Sequence, residues 1–369
     1  MKRLRLRSQK QGIDRKLFLA TVLLVIIGLI AVLDASAPQA INVFGDKFHL
    51  FKSQLIWSFV GFVALLISSK INYKFWEKLA TPFFFFVLAS LILVLIPGVG
   101  AKFLGARRWI SVGPVFFQPS EFAKFGLILY LAKFMSKKEA SILSFLPLVL
   151  ASFLIMLEPD LGTTMVIVLT GAIQIFVSQI NLLHFGGVGI LGGLVVFLLV
   201  MISPYRKDRL LTFLEQSSDP LGKSYHIRQI LLGLGSGGLF GVGLGGSRQK
   251  FLFLPEASTD SIFAVIAEEV GFIGALSLIL LFSFYVFRAL RISKYAPDDF
   301  SRYLALGIAS WIGIQVVLNI ASMTALVPLT GIPLPFISYG GSSLIMIMFA
   351  TGILLNISKY GIKTKERRN

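Results

Sequence analysis

Asp260 stands at the mouth of an apolar run, Ser261-Ile-Phe-Ala-Val-Ile-Ala-Glu268-Glu269, in a chain whose composition suits lipid. Ionised groups at the edge of a bilayer are costly and mark sites by default. The loop before it carries Arg248, Lys250 and Glu256, so a carboxylate base and cations for an anionic substrate come together on one segment. A second group lies at Arg107-Arg108-Trp109, Gln118, Glu121 and Lys124. Glu121 and Lys124 are three residues apart and share a helical face. Arg grips phosphate with a planar fork and Lys with a point charge, so this segment suits pyrophosphate. An internal ion pair with an interfacial Arg-Trp anchor explains it equally well. Asp260 has a plain alternative too, because Ser258-Thr259-Asp260-Ser261 suits a helix N-cap. Glu268 and Glu269 lie about 12 Å further along a helix at 1.5 Å per residue. They point to different sides, and Glu268 is the better candidate to line a cavity with Asp260.

These residues must be held by membrane helices. Hydrophobic residues make up 56% of the 369-residue chain and charged residues 14%, against about 25% charged in soluble domains. The chain reads as all-α and polytopic. About ten runs are long enough to cross a bilayer, near 17–34, 51–69, 79–96, 120–136, 143–157, 160–178, 185–203, 261–287, 301–325 and 339–357. Residues 1–16 form a basic segment, 17–358 the membrane domain and 359–369 a basic tail. A long loop, about 204–259, precedes the eighth helix. Glu158-Pro159-Asp160 either separates two helices or interrupts one. Residues 17–33, though followed by Ala35-Ser36-Ala37, read as a first span rather than a cleaved signal. Most of the 35 Lys and Arg fall on the side that holds both termini, which the positive-inside rule makes cytoplasmic. Asp260 then lies outside, where a substrate must arrive already activated.

Other chemistries find little support. With no Cys there is no disulfide, thiolate metal site or Cys nucleophile. The net charge of +17 sits in blocks between apolar spans, which suits membrane orientation rather than nucleic acid. The run Gly233 to Gly246 lacks the strand context of a dinucleotide site and the Lys-Ser/Thr of a P-loop. It reads as a flexible or re-entrant loop. Between the last two spans, Pro328 to Ser343 is rich in breakers and includes Ser338. Irregular backbone at membrane depth must be buried in protein or line a cavity, so this segment supports one.

Four motifs together, Arg108-Trp109…Gln118-Pro-Ser-Glu121, Glu158-Pro-Asp160-Leu-Gly-Thr163, Leu254-Pro-Glu256-Ala-Ser-Thr-Asp260 and Pro335-Phe-Ile-Ser338-Tyr-Gly-Gly-Ser-Ser343, resemble the SEDS family (FtsW, RodA, SpoVE). Ser247-Arg-Gln-Lys250 is more similar to the division and sporulation branch. The resemblance implies a peptidoglycan glycosyltransferase that polymerises lipid II outside the membrane, beside a class B penicillin-binding protein and other divisome or elongasome proteins. It makes Asp260 the essential acid. A divalent cation (Mg or Mn) is compatible with such chemistry, though no metal motif is visible. Ser258, commonly His in the family, and Ser261, commonly Phe, depart from its pattern, so no His at 258 assists here. A lipid II flippase and a non-catalytic scaffold are the rival functions.

Overall fold

A computed structural model describes residues 12–103, 106–113, 115–137, 141–202, 207, 211–213, 224–251 and 253–361. Most of the basic 1–16 segment, the end of the 359–369 tail and much of the 204–223 region lie outside the described residues. Each of the ten apolar runs is a helix. In chain order they are α1 (Arg15–Phe44), α2 (His49–Lys70), α3 (Tyr73–Leu95), α4 (Pro119–Lys137), α5 (Leu146–Leu157), α6 (Leu161–Val177) and α7 (Leu182–Ile202). After the long loop's own helix, α8 (Tyr225–Ser236), come α9 (Ile262–Lys294), α10 (Asp299–Met323) and α11 (Gly341–Ser358). Six of them, α1–α3 and α9–α11, are long and apolar enough to cross a membrane by length and composition. The Glu121–Lys124 pair and the basic residues at its end make α4 less apolar, and α5 to α7 contain shorter apolar stretches.

Among the six long spans, α10 and α11 are the most enclosed, with α2 packed along α11 and α9 and α4 along α10. Trp311, Tyr285, Phe125 and Phe282 fill the interior. The remaining faces carry exposed large hydrophobics such as Phe59, Phe85 and Phe287, the arrangement expected of helices facing hydrocarbon. Helix α1 runs on through Ala35-Ser36-Ala37 and Pro38 to Phe44.

One element departs from the all-helical expectation. Gly100–Phe103 (β1), Ala106–Val112 (β2) and Val115–Phe117 (β3) form a small antiparallel meander ahead of α4. It is too short to show as alternation, and two breakers, Gly113 and Pro114, disguise its second turn. The ambiguity at residue 158 resolves into two helices. Asp160 caps α6 by accepting from the Thr163 amide and hydroxyl, and Pro159 stands in the turn between the two helices.

The Gly-rich run is ordered packing. Helix α9 breaks at Gly271, at φ 67° and ψ −172°. Buried backbone groups freed by such a break must be paired elsewhere. The glycine run supplies the partners: Val242 and Gly243 donate to the carbonyls of Glu268 and Glu269, and Phe272 and Ile273 donate to those of Gly238 and Leu239. A Cβ on Gly241 would lie 2.0 Å from the Glu269 carbonyl oxygen, so only glycine permits the approach. These amides are spent on α9 and are unavailable to a phosphate.

One end of the bundle gathers Asp14 with Arg288, Lys359 with the Ser69 carbonyl, and Tyr73 with Asp298. The first turn of α1 and the last turn of α11 meet there through Asp14 and Ser358. Asp260, at the start of α9, and Gly340, at the start of α11, belong to the opposite end.

Candidate active site

The four motifs converge on a cavity of about 630 Å³, the size of a small-molecule site. Its walls include Arg108, Trp109, Gln118, Glu121, Asp160, Glu256, Thr259 and Asp260. Tyr339, Ser342 and Ser343 close it from the breaker-rich segment, and His226 of α8 reaches in from the long loop.

Asp260 lies one residue before Ser261, the N-cap residue of α9, whose own side chain makes no capping hydrogen bond. Its backbone is fixed from two sides. Asn319 of α10 donates at 2.8 Å to the Asp260 carbonyl and at 2.7 Å to that of Ile332. Ser338 donates to the Thr259 carbonyl at 2.6 Å while accepting from the Leu334 amide at 2.7 Å, and the Tyr339 amide donates to the Ser258 carbonyl at 2.9 Å. Gln54 of α2 ties the same segment down at Ser338 and Gly340. Ser338 is thus absent from the cavity walls, and its hydroxyl holds the Asp260 turn. Such support fixes the turn better than a free loop would.

Gly331, at φ 67°, presents its bare Cα to the carboxylate, and a Cβ there would sit 3.3 Å from Asp260 Oδ2. Gly331→Ala is expected to strain the backbone and press on Asp260, lowering kcat severalfold with little change in KM. Single-turnover kinetics on the folded variant checks this.

The cations are placed differently from one another. Arg108, on β2, lines the cavity and donates through Nε and one terminal nitrogen to the carbonyls of Glu158 and Pro159, at 3.0 and 2.5 Å. Arg107, the preceding residue on the strand, is not among the walls. Lys124 lies behind Glu121. Its Nζ is 2.7 Å from Glu121 Oε1 and 3.1 Å from Gln315 Oε1, with the Trp311 ring 5.4 Å away. Both charged side chains are buried, so the internal ion pair foreseen for them is present and Glu121 alone faces the cavity.

Lys250 and Glu268 correct the expectation that they line the site. Lys250 Nζ bonds both Asp34 oxygens, at 2.7 and 2.8 Å, and Glu269 Oε1 at 2.8 Å. Burial works against its charge, yet the two carboxylates outweigh that and hold the ammonium above its ordinary pKa. Glu268 accepts from the Ser247 and Ser236 hydroxyls and the Arg248 and Gln249 amides, which fastens the loop to α9. Arg248 follows this loop and is likewise absent from the walls. The spacing from Asp260 to Glu268 had suggested one shared cavity; the break at Gly271 and the glycine loop packed on it bury that face instead.

Three contributors escaped the sequence reading. Gln315 and Asp34 lie inside helices as isolated polar residues, and only burial reveals their partners. His226 lies in a loop helix with no motif around it.

Glu158 sits in the turn under Arg108 with both carboxyl oxygens buried and no hydrogen-bond partner. Burial first, and then the Asp160 charge, push its pKa to about 9, against a smaller lowering by Arg108. The folded state therefore holds this proton at pH values where the unfolded chain has lost it. Stability from this group is complete below about 4.5 and declines as pH rises through about 9. Glu158→Gln is expected to remove that decline, which thermal unfolding in detergent between pH 5 and 9 would read.

Among the described residues no three His, Cys, Asp or Glu side chains gather as a metal-ligand set.

Residues 14–363 match the family model of the cell cycle proteins FtsW, RodA and SpoVE. Stage V sporulation protein E of Bacillus subtilis is 46% identical, over 96% of this chain and 99% of its own. The "Probable peptidoglycan glycosyltransferase FtsW" of Trichlorobacter lovleyi is 42% identical, over 94% of this chain and 93% of its own. Among solved structures, a chain of a peptidoglycan synthase complex that coordinates polymerization and crosslinking matches with TM-score 0.77 at 28% identity, covering 94% of this chain and 97% of that one. The rod shape determining protein RodA of Thermus thermophilus matches with TM-score 0.71 at 27% identity, covering 95% and 98%. A cavity assembled from all four motifs and matches along nearly the whole chain lead to one conclusion: this chain belongs to the FtsW/RodA/SpoVE family of cell cycle proteins.

Proposed function

We propose that this chain is a peptidoglycan glycosyltransferase that polymerises lipid II at the outer face of the cytoplasmic membrane. The observation that carries the reading is Asp260, a carboxylate braced on both sides by backbone hydrogen bonds and opening into a cavity built from the four family motifs. The acceptor sugar's 4-hydroxyl attacks the anomeric carbon of the lipid-linked donor, and Asp260 takes the hydroxyl proton. The carbon–oxygen bond to the pyrophosphate breaks, the anomeric configuration inverts, and undecaprenyl pyrophosphate departs with the bonding electrons. One base is enough for inversion, since no glycosyl-enzyme bond forms.

Trp109, Gln118, Asp160 and Glu256 supply polar and stacking surface for the sugars, and Arg108 is the guanidinium among the described cavity walls. Arg107, Arg248, Lys124 and Lys250 act more remotely, the last two by charge within closed networks. Orientation follows from charge. The end that carries Asp14, Arg288, Lys294 and Lys359 faces the cytoplasm, which leaves Asp260 outside. The similarity to a synthase-complex chain supports a crosslinking partner, a class B penicillin-binding protein, in the same membrane. Polymer formation from labelled lipid II by the purified protein, with and without that partner, tests the function. Failure in both cases favours a flippase or a scaffold.

A further inference from the structure

Several cations at the bundle end that gathers Asp14, Tyr73 and Lys359 are spent on the protein itself. Arg288 pairs with Asp14, Lys359 bonds the Ser69 carbonyl at 2.7 Å, Lys133 bonds the Thr81 hydroxyl at 2.9 Å, and Lys137 lies 3.7 Å from Glu77. Lys294 and Arg302 are placed otherwise. Both are exposed, and neither side chain forms an ion pair or a hydrogen bond with a described residue; the Tyr295 ring lies 6.0 Å from Lys294 Nζ. Both line one cavity of about 400 Å³, set among the ends of α6, α9 and α10.

The cavity is built in layers. Lys294 closes α9, and Arg302 sits in the first turn of α10. Leu290 precedes Lys294 by one helical turn and Leu306 follows Arg302 by one, and both leucines line the same cavity with Val177 of α6. Because α9 arrives at this end and α10 leaves from it, each leucine lies about 6 Å deeper in the bundle than its cation, at 1.5 Å per residue. The two helix ends are clamped together, for Ser293 Oγ donates to the Arg302 carbonyl at 2.8 Å. Of the two acids in the walls, Asp298 is turned to the protein. It accepts from the Tyr73 hydroxyl at 2.6 Å and from the Ser301 amide and hydroxyl, each at 2.8 Å. Asp299 is exposed and shares the walls, yet it pairs with neither cation.

We propose that this cavity binds the phosphodiester headgroup of an anionic phospholipid, with Lys294 and Arg302 on the phosphate and an acyl chain against Leu290, Leu306 and Val177. The arrangement repeats a phospholipid's own order, with charge at the surface and hydrocarbon one turn deeper. A soluble anion would leave the apolar floor uncovered, whereas an acyl chain covers it. The planar fork of Arg and the point charge of Lys both suit phosphate oxygens. Basic pockets between membrane helices at the cytoplasmic face bind such headgroups in other proteins. With this end in the cytoplasm, as the charge pattern argues, the lipid is one of the inner leaflet. The site lies at the end of the bundle opposite Asp260, so it stands independently of the glycosyltransferase reading.

The test is equilibrium binding of fluorescent phosphatidylglycerol to the full-length protein in a neutral detergent, with phosphatidylcholine of the same acyl chains as the zwitterionic control. Lys294→Gln combined with Arg302→Gln is expected to weaken phosphatidylglycerol binding about tenfold, the scale of two cations beside an anionic headgroup, and to leave phosphatidylcholine unchanged. Both side chains are exposed, so the variant should keep the parent's elution profile and unfolding temperature. Asp299→Asn, which removes the opposing charge, should tighten phosphatidylglycerol severalfold, and this arm judges the proposal without touching either cation. Lys70→Gln combined with Lys74→Gln removes two exposed cations of the same end from outside the cavity and should leave the affinity as it was. Equal weakening by the two double variants would reduce the effect to overall charge and overturn the proposal, as would a Lys294/Arg302 variant that binds as the parent does. Glycerol phosphate, the headgroup without its tails, should fail to displace the lipid at matching concentration. Displacement there would make the ligand a soluble phosphate, and the lipid assignment would fall.

Discussion

Asp260→Asn is expected to abolish detectable glycan polymerisation from lipid II while leaving the protein folded and able to bind substrate. The substitution preserves size and most of the hydrogen-bonding capacity but removes the base. General base assistance contributes about 10²–10⁴-fold, and the loss should appear in kcat. The fold should tolerate the change, because Asp260 is positioned through its carbonyl, held by Asn319, and through its neighbours' carbonyls, held by Ser338 and the Tyr339 amide. Polymer yield with the crosslinking partner present, alongside monodispersity and thermal unfolding of the same preparation, checks it. A folded variant that polymerises at the wild-type rate would move the base elsewhere in the cavity.

Lys124→Met is expected to be among the most destabilising single changes in the membrane bundle. It leaves the Glu121 carboxylate buried without its counter-ion and strips Gln315 Oε1 of one of its two donors. Removing one member of a buried ion pair typically costs about 3–5 kcal/mol, whereas replacing both with neutral groups of similar volume is often harmless. Glu121→Gln combined with Lys124→Met should therefore regain most of the lost thermal stability. Activity should part company with stability here. Glu121 lines the cavity, so the double variant is expected to stay slow although it is well folded. A double-mutant cycle read both by unfolding and by polymer yield separates the two effects. Recovery of both together would make the pair purely structural.

A third substitution shows how closely site and scaffold are joined. The Gly331→Ala strain falls on the same turn that Asn319 braces through Ile332, so its effect passes to Asp260 within one layer of packing. The Glu158 proton, by contrast, reports on the turn beneath Arg108 and should register in stability rather than in the chemical step.

How far the sequence could be read depended on the kind of interaction. The helices were legible because each bilayer-crossing segment must carry its own run of apolar residues, a local property. The small β1–β3 meander was not, since its strands are short and its pattern is set by the turns between them. Asp260 was legible as a carboxylate where a carboxylate is costly. The fate of the cations was not. Lys250 and Arg108 look alike in sequence, as basic residues in polar segments beside a span. One is closed off by Asp34, 216 positions away, and the other opens onto the cavity. Helical spacing placed Glu268 on the side of Asp260, but spacing says nothing of the loop that packs over that face and engages Glu268.

By itself, then, the sequence determined that this is a helical membrane protein, which end of it is basic, that four motifs share a family pattern, and that Asp260 leads the candidates for chemistry. These follow from composition, from runs of adjacent residues and from order along the chain. The tertiary structure decided which charges cancel one another and which are left to meet a substrate. It paired Lys124 with Glu121 and Gln315, withdrew Lys250 and Glu268 into the seam beneath the glycine loop, and set His226 against Ser261. The reason is physical: a charge buried in low dielectric must find its partner through space, and distance along the chain does not say which partner that will be.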